Sequence, residues 1–231
     1  IMVVASVRYP GEFGALAPLL GGLPGEDTGI TFENYRVFFG DWIYAQIFAK
    51  SFGVALATTL ICLVMAYPVA LLIARSPRKY RDLMVLLCVL PFASNFLVRV
   101  YAWMIILGPF DLLFSRFAVI VGMVYVHLPF MILPLYTNLE KHDPTLLDAA
   151  QDLGASAWQR FWRITFPLSL PGVYAGAALV FIPALGMFAI PDILGGPEDS
   201  LIGNVIKQQF LEARDWPFGS VLSIMLTAVA L

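Results

Sequence analysis

Few side chains in this sequence could do chemistry, and most of them sit inside or beside long apolar runs. Arg99 lies within such a run, where a charge is costly and is by default functional or paired. His127 stands on another without nearby acids, which suits a hydrogen-bonded interior residue better than a metal or proton site. Asn95 lies in the same run as Arg99 and Asp192 follows the end of another, and together they could attract an amine; a solvated loop acid is an equal reading of Asp192. Tyr101, Trp103 and Trp216 fit a belt of aromatics at a membrane boundary. One or two of these rings could instead stack on a cation. Asn95, Tyr101, Trp103, Tyr125 and Asp192 are the candidate ligand-facing residues. No Gly-x-x-x-x-Gly-Lys-Ser/Thr loop occurs, so the chain does not bind ATP by that means. Cys62 and Cys88 fall within apolar runs as packing residues, and no metal site is expected.

A second group of residues could meet a partner. From His142 to Ala155 the chain spells a short helix with written ends. Asp143 suits the N-cap, because its carboxylate can accept from an unpaired backbone N–H. Pro144 suits the first helical position, where a missing N–H costs nothing. Gly154 suits the left-handed residue after the last turn. Ser156 can cap a second helix, 157–164, expected to stop before Pro167. Leu146, Ala150 and Leu153 share one face, and Ala149 and Ala150 keep part of it flat enough for a close partner. A surface hairpin with ordinary caps is the competing reading.

The elements around these residues belong to a membrane. The chain has 231 residues, 60% apolar and only 13% charged, with a mean hydropathy of +0.81. A soluble domain is nearer half apolar and a quarter charged. The net charge of −2 and the lack of a basic run give no footing for nucleic acid. No signal-peptide pattern is visible. Crossing the bilayer takes roughly twenty apolar residues as a helix. Spans are expected at 52–74, at 83–107 with an interruption at Pro91, at 117–138 and at 168–190, with the tail of one at 1–7 and the start of another at 217–231. The fold class is thus an all-α membrane protein of six spans, the first and last cut short, in one domain covering 1–231. The basic turn holding Arg75, Arg78, Lys79 and Arg81 reads as cytoplasmic. Alternation puts the 139–167 loop on the same side. The acid-rich segments 8–50, with Glu12, Glu26 and Asp27, and 191–216 then lie outside. The connection Gly108–Asp111 between two spans is short. Gly172 and Gly176 form a small-xxx-small face for helix packing, with a gating or dimer contact as the lesser reading.

Asp148-Ala149-Ala150-Gln151-Asp152-Leu153-Gly154-Ala155, with Ile164-Thr165-Phe166-Pro167 following, resembles the EAA loop of ABC-importer permeases. Asp148 stands where Glu is commoner and Phe166 where Leu often stands. The resemblance implies that this loop is a coupling helix docked on a separate ATPase, with Asp148, Ala149, Ala150, Leu153, Gly154 and Pro167 as its key positions. A second resemblance runs from about residue 30 to the end. Val98-Arg99-Val100-Tyr101-Ala102-Trp103, Leu128-Pro129-Phe130, Gly186 to Gly196, Leu201 to Lys207 and Arg214 to Gly219 are similar to permeases of spermidine/putrescine importers. It implies the type I importer permease fold, a bacterial inner-membrane location, a second permease subunit and an ATPase dimer. It further implies an external binding protein and a polyamine substrate, with ATP and magnesium held by the partner and no cofactor on this chain. Arg99 then has three roles in order: an outer-mouth contact with the binding protein, a structural ion pair, or a ligand for an anion. An importer of another amine, an opine or an anion remains a rival, as does a stand-alone secondary transporter or membrane enzyme.

Overall fold

The computed structural model describes residues 2–11, 16–17 and 29–230; Glu12, Glu26 and Asp27 fall outside that set. The described residues form helices and turns, with two isolated β-bridges and no strand. In lipid this is the expected outcome, because a helix satisfies its own backbone donors and acceptors. The helices are α1 (Met2–Ser6), α2 (Glu33–Gly40), α3 (Trp42–Arg75), α4 (Arg78–Val89), α5 (Phe96–Leu107) and α6 (Arg116–Leu139). They continue as α7 (Thr145–Asp152), α8 (Ala157–Arg160), α9 (Phe166–Leu185), α10 (Ala189–Leu194), α11 (Ile202–Leu211) and α12 (Trp216–Ala230).

Among the described residues, three stretches are long and apolar enough to cross a membrane: Trp42–Arg75, Arg116–Leu139 and Ala157–Leu185. Trp216–Ala230 is a shorter apolar helix. The span expected at 83–107 is broken close to Pro91. Arg78–Ala93 and Phe96–Phe110 meet at a 90° bend. Pro91 removes a backbone donor just before the bend. Ser94 is extended and donates from its hydroxyl to the Pro91 carbonyl at 2.7 Å, and Asn95 restarts the helix by accepting from the Leu97 N–H at 2.8 Å.

Two other boundaries differ from expectation. α3 begins at Trp42, so the end of the supposed outer segment 8–50 is part of the long helix; Asp41 starts it by accepting from the Ile43 N–H at 3.0 Å. The span placed at 168–190 ends at Leu185, and α10 begins only at Ala189. The link at Gly108–Asp111 is a tight turn, with Asp111 at φ +53° and its N–H on the Gly108 carbonyl.

The chain divides into two compact units. One comprises Ala55–Trp103 and Ile120–Ala184. Its core joins Cys62, Ala66, Ala70 and Ile73 of α3 to Met131, Leu135 and Leu139 of α6 and Val173 and Val180 of α9. The small residues of α3 recur about every four positions, which brings helices close enough for van der Waals packing to act where no hydrophobic drive exists. Gly172 and Gly176 act likewise. A Cβ on Gly172 would lie 2.8 Å from Asn138 Cβ and 3.0 Å from the Pro134 carbonyl oxygen, and one on Gly176 would lie 2.7 Å from Met131 Sδ. The face is thus packed against α6 of its own subunit. Gly172→Val should cost about 1–3 kcal/mol by overpacking. The readout is the melting temperature of the detergent-purified protein; an unchanged value would refute the close contact.

The other unit comprises Ile1–Val54, Met104–Val119 and Leu185–Leu231. Ile202, Phe218 and Leu222 form its centre, with Phe38, Tyr44, Ile47 and Phe48 packed on them. α1 lies along α12.

Candidate functional site

The ends of α7 are formed as their residue types require. Asp143 Oδ1 accepts from the Thr145 N–H at 3.0 Å. That bond holds the Asp143 carboxyl below its ordinary pKa. A depressed folded-state pKa means that the cap contributes at neutral pH and fades as pH falls through that value. Pro144 has helical dihedrals, and its carbonyl accepts from Leu147 and Asp148. At the other end Gly154 has φ +79°. The Gly154 N–H meets the Gln151 carbonyl at 2.8 Å and the Ala155 N–H meets the Ala150 carbonyl at 3.0 Å. This pair of bonds is the Schellman closure, and it needs a left-handed residue at position 154.

The next helix is capped as expected but does not stop. Ser156 and Gln159 exchange bonds in a capping box, Gln159 N–H to Ser156 Oγ at 3.3 Å and Ser156 N–H to Gln159 Oε1 at 2.9 Å. The expected end before Pro167 is overturned. A π-helical turn at Phe161–Thr165 carries the chain from α8 into α9, where Pro167 is the second residue. The wider turn absorbs the donor that proline lacks, and a proline in the first turn of a helix costs little. Arg160 donates to Gln151 Oε1 at 2.6 Å, which braces α7 against α8. That brace was not anticipated; two polar residues nine apart around a glycine turn are a faint signal for it.

α7 is an eight-residue helix that buries none of its residues. Asp148, Ala149, Leu153 and Gly154 are exposed, Leu153 at 89%, and Ala150 is half-buried. Trp158, exposed at 70%, extends the apolar surface onto α8. Beneath α7 is a cavity of about 350 Å³, bounded by Leu71 and Arg75 of α3, Leu139 of α6, and Thr165 and Leu168. The loop is anchored at its start instead. Glu140 accepts from Arg81 at 2.5 Å, and His142 Nε2 lies 3.1 Å from the Leu168 carbonyl. The Tyr136 hydroxyl, and after it Arg81, holds the Glu140 carboxyl below its ordinary pKa. So short a helix is marginal without tertiary support. Its exposed face calls for a partner.

The candidate ligand-facing residues are only partly assembled. In the unit built on 55–103 and 120–184, Trp103 and Tyr125 meet edge to face with centroids 5.6 Å apart. Tyr101 is exposed. Asn95 spends its side-chain oxygen on capping α5, which weakens its reading as an amine ligand. The Arg99 guanidinium lies over the Phe92 ring at 5.4 Å, its Nε is buried without an acceptor, and it has no ion pair among the described residues. His127 is buried and hydrogen-bonded through Nδ1 to the Met123 carbonyl at 2.8 Å.

Asp192, in the other unit, is not a free loop acid. Lys207 Nζ lies 2.6 Å from its Oδ2, and Asn204 Nδ2 donates to its Oδ1. The carboxylate raises the Lys207 pKa. Asp199 pairs with Arg116 at 3.2 Å, so that acid too is committed to structure, and Lys50 donates to the backbone carbonyl of Glu198. Asn204 and Lys207, one turn apart on α11, were missed. Their only sequence signal is an amide and an amine on one helix face.

Residues 66–231 match the model of the family described as binding-protein-dependent transport system inner membrane component. The chain belongs to that family. The spermidine/putrescine transport system permease protein PotB of Haemophilus influenzae is 46% identical over 217 residues, 87% of this chain and 76% of that protein. Its Escherichia coli counterpart is 45% identical over 216 residues, 86% of this chain and 78% of that protein. A solved bacterial ABC transporter involved in the import of the acidic polysaccharide alginate has a chain of the same fold. That chain superposes with a TM-score of 0.66 at 18% identity, covering 87% of this chain and 79% of its own. As an inner-membrane transport component, the chain is a translocation subunit of an ABC importer, and its long apolar helices cross the inner membrane. The matched region contains α7 and the turn after it.

Proposed function

We propose that this chain is the permease subunit of an ATP-driven importer that takes up spermidine and putrescine delivered by an external binding protein. One observation carries the substrate: identity of 46% and 45% to two spermidine/putrescine permeases over nearly the whole chain. The unburied α7 supports the machine, because an exposed capped helix with a flat alanine face suits a cleft on another subunit. Asp148, Ala149, Ala150, Leu153 and Gly154 make that contact, and Pro167 lies in the first turn of α9, which receives the motion. The partner is an ATPase dimer that holds ATP and magnesium. A second, similar permease completes the path. The loop bearing α7 faces the cytoplasm. Closure of the ATPases moves α7, and the packed core of α3, α6 and α9 transmits that motion to switch access from outside to inside. No bond is made or broken by this chain.

The test is competition. Uptake of labelled spermidine by cells carrying the whole system should be inhibited by putrescine and spermidine and not by anions. Strong inhibition by an anion with none by polyamines would overturn the substrate and favour Arg99 as a ligand, in keeping with its unpaired Nε.

A further inference from the structure

The Asp192–Lys207 pair has the chemistry of an occupied amine site. The Lys207 ammonium has a carboxylate oxygen at 2.6 Å and the Phe188 ring centroid at 5.9 Å. An anion with an aromatic face is how proteins hold alkylammonium groups. Asn204 orients the carboxylate. Its Nδ2 donates both to Asp192 Oδ1 and to the Phe188 carbonyl, and its Oδ1 accepts from the Leu201 N–H at 3.0 Å. Those bonds remain if the lysine leaves. Beside the pair is a cavity of about 350 Å³, lined by Phe188, Gly203, Ile206, Lys207, Ser223 and Thr227. Mostly apolar walls with two hydroxyls suit a methylene chain punctuated by amines. Gly203 keeps this region tight, since a Cβ there would lie 2.6 Å from the Gly186 carbonyl oxygen.

We propose that Lys207 is a tethered stand-in for the substrate: its ammonium fills a site made by Asp192, Asn204 and Phe188, and an ammonium of the transported amine displaces it. This rests on the amine reading above. The exchange replaces one ammonium by another, so the charge around Asp192 is unchanged. About a third of each side chain in the pair is exposed, so solvent screens it and the flexible lysine stem can swing away. An empty carboxylate would hold its substrate too firmly to release it; a resident competitor loosens it.

The two halves of the pair should therefore respond in opposite directions. The assembled importer, permeases with ATPases, is purified without binding protein, and retention of labelled spermidine is titrated. Lys207→Met should tighten retention several-fold. Asp192→Asn should weaken it about as much, and Lys207→Arg, a less displaceable fork, should weaken it as well. Shifts of Lys207→Met and Asp192→Asn in the same direction, or no shift in Lys207→Met, would make the pair a plain structural bridge and end the proposal. If Asp192→Asn does not assemble, Lys207→Met alone decides. A wild-type complex that retains no polyamine and is indifferent to it in uptake would instead remove the amine reading itself.

Discussion

Gly154→Val is expected to cut uptake by at least tenfold while the subunit still inserts in the membrane. Position 154 has φ +79°, and its N–H and that of Ala155 close the end of α7. An L-residue there costs about 1–2 kcal/mol from contact between its Cβ and the backbone, and a β-branched one more. Nothing lies within 4 Å of a Cβ at this position, so crowding by neighbours plays no part. The strain is relieved by unwinding the last turn of a helix that has no buried residue to hold it. Leu153 and Ala150 then lose their placing, whereas the core of α3, α6 and α9 contains no residue of α7. Gly154→Asn is the control, because asparagine tolerates the left-handed region. It should keep most of the uptake. Equal uptake by the valine variant and wild type, with normal co-purification of the ATPase, would remove α7 from the coupling path.

Leu153→Arg should have the second-largest effect, and on assembly rather than on helix geometry. Leu153 is 89% exposed at the end of α7, directly before the glycine. Its burial in a partner cleft would contribute about 1.5–3 kcal/mol. Losing that corresponds to roughly 10–150-fold in affinity. A buried unpaired guanidinium would cost still more. The ATPase subunits should no longer co-purify with the permease, while the permease itself elutes as before. Retention of the ATPase at wild-type stoichiometry would show that Leu153 faces water or lipid in the complex. Ala149→Trp, on the flat part of the same helix, should act in the same direction by steric exclusion.

The local features were legible because their causes are local. Caps, the proline start and the glycine stop of α7 depend on residues a few positions apart, and Asp143, Pro144 and Gly154 take the conformations that their types favour. Hydropathy likewise located Trp42–Arg75 and Arg116–Leu139 as spans, to within their ends. Legibility failed where a local preference had two outcomes. Pro167 reads as a helix stop, yet a π-helical turn let the helix pass through it. Pro91 reads as an interruption of a span, yet what it sets together with Asn95 is a 90° bend. Proline only removes a donor; neighbouring turns decide whether the helix ends, bends or widens.

Sequence alone determined that this is an all-helical membrane protein with a capped helix between spans, since composition and short-range backbone chemistry suffice for both. Only the tertiary structure decided which polar groups are still free to act. Asn95 is spent on a cap, Asp192 is held by Lys207 and Asn204, and Arg99 keeps a buried Nε without a partner. The physical reason is that a polar side chain's role depends on which donors and acceptors the fold brings within hydrogen-bonding distance. Asp192 and Lys207 are fifteen positions apart along the chain, and no local preference foretells that they meet.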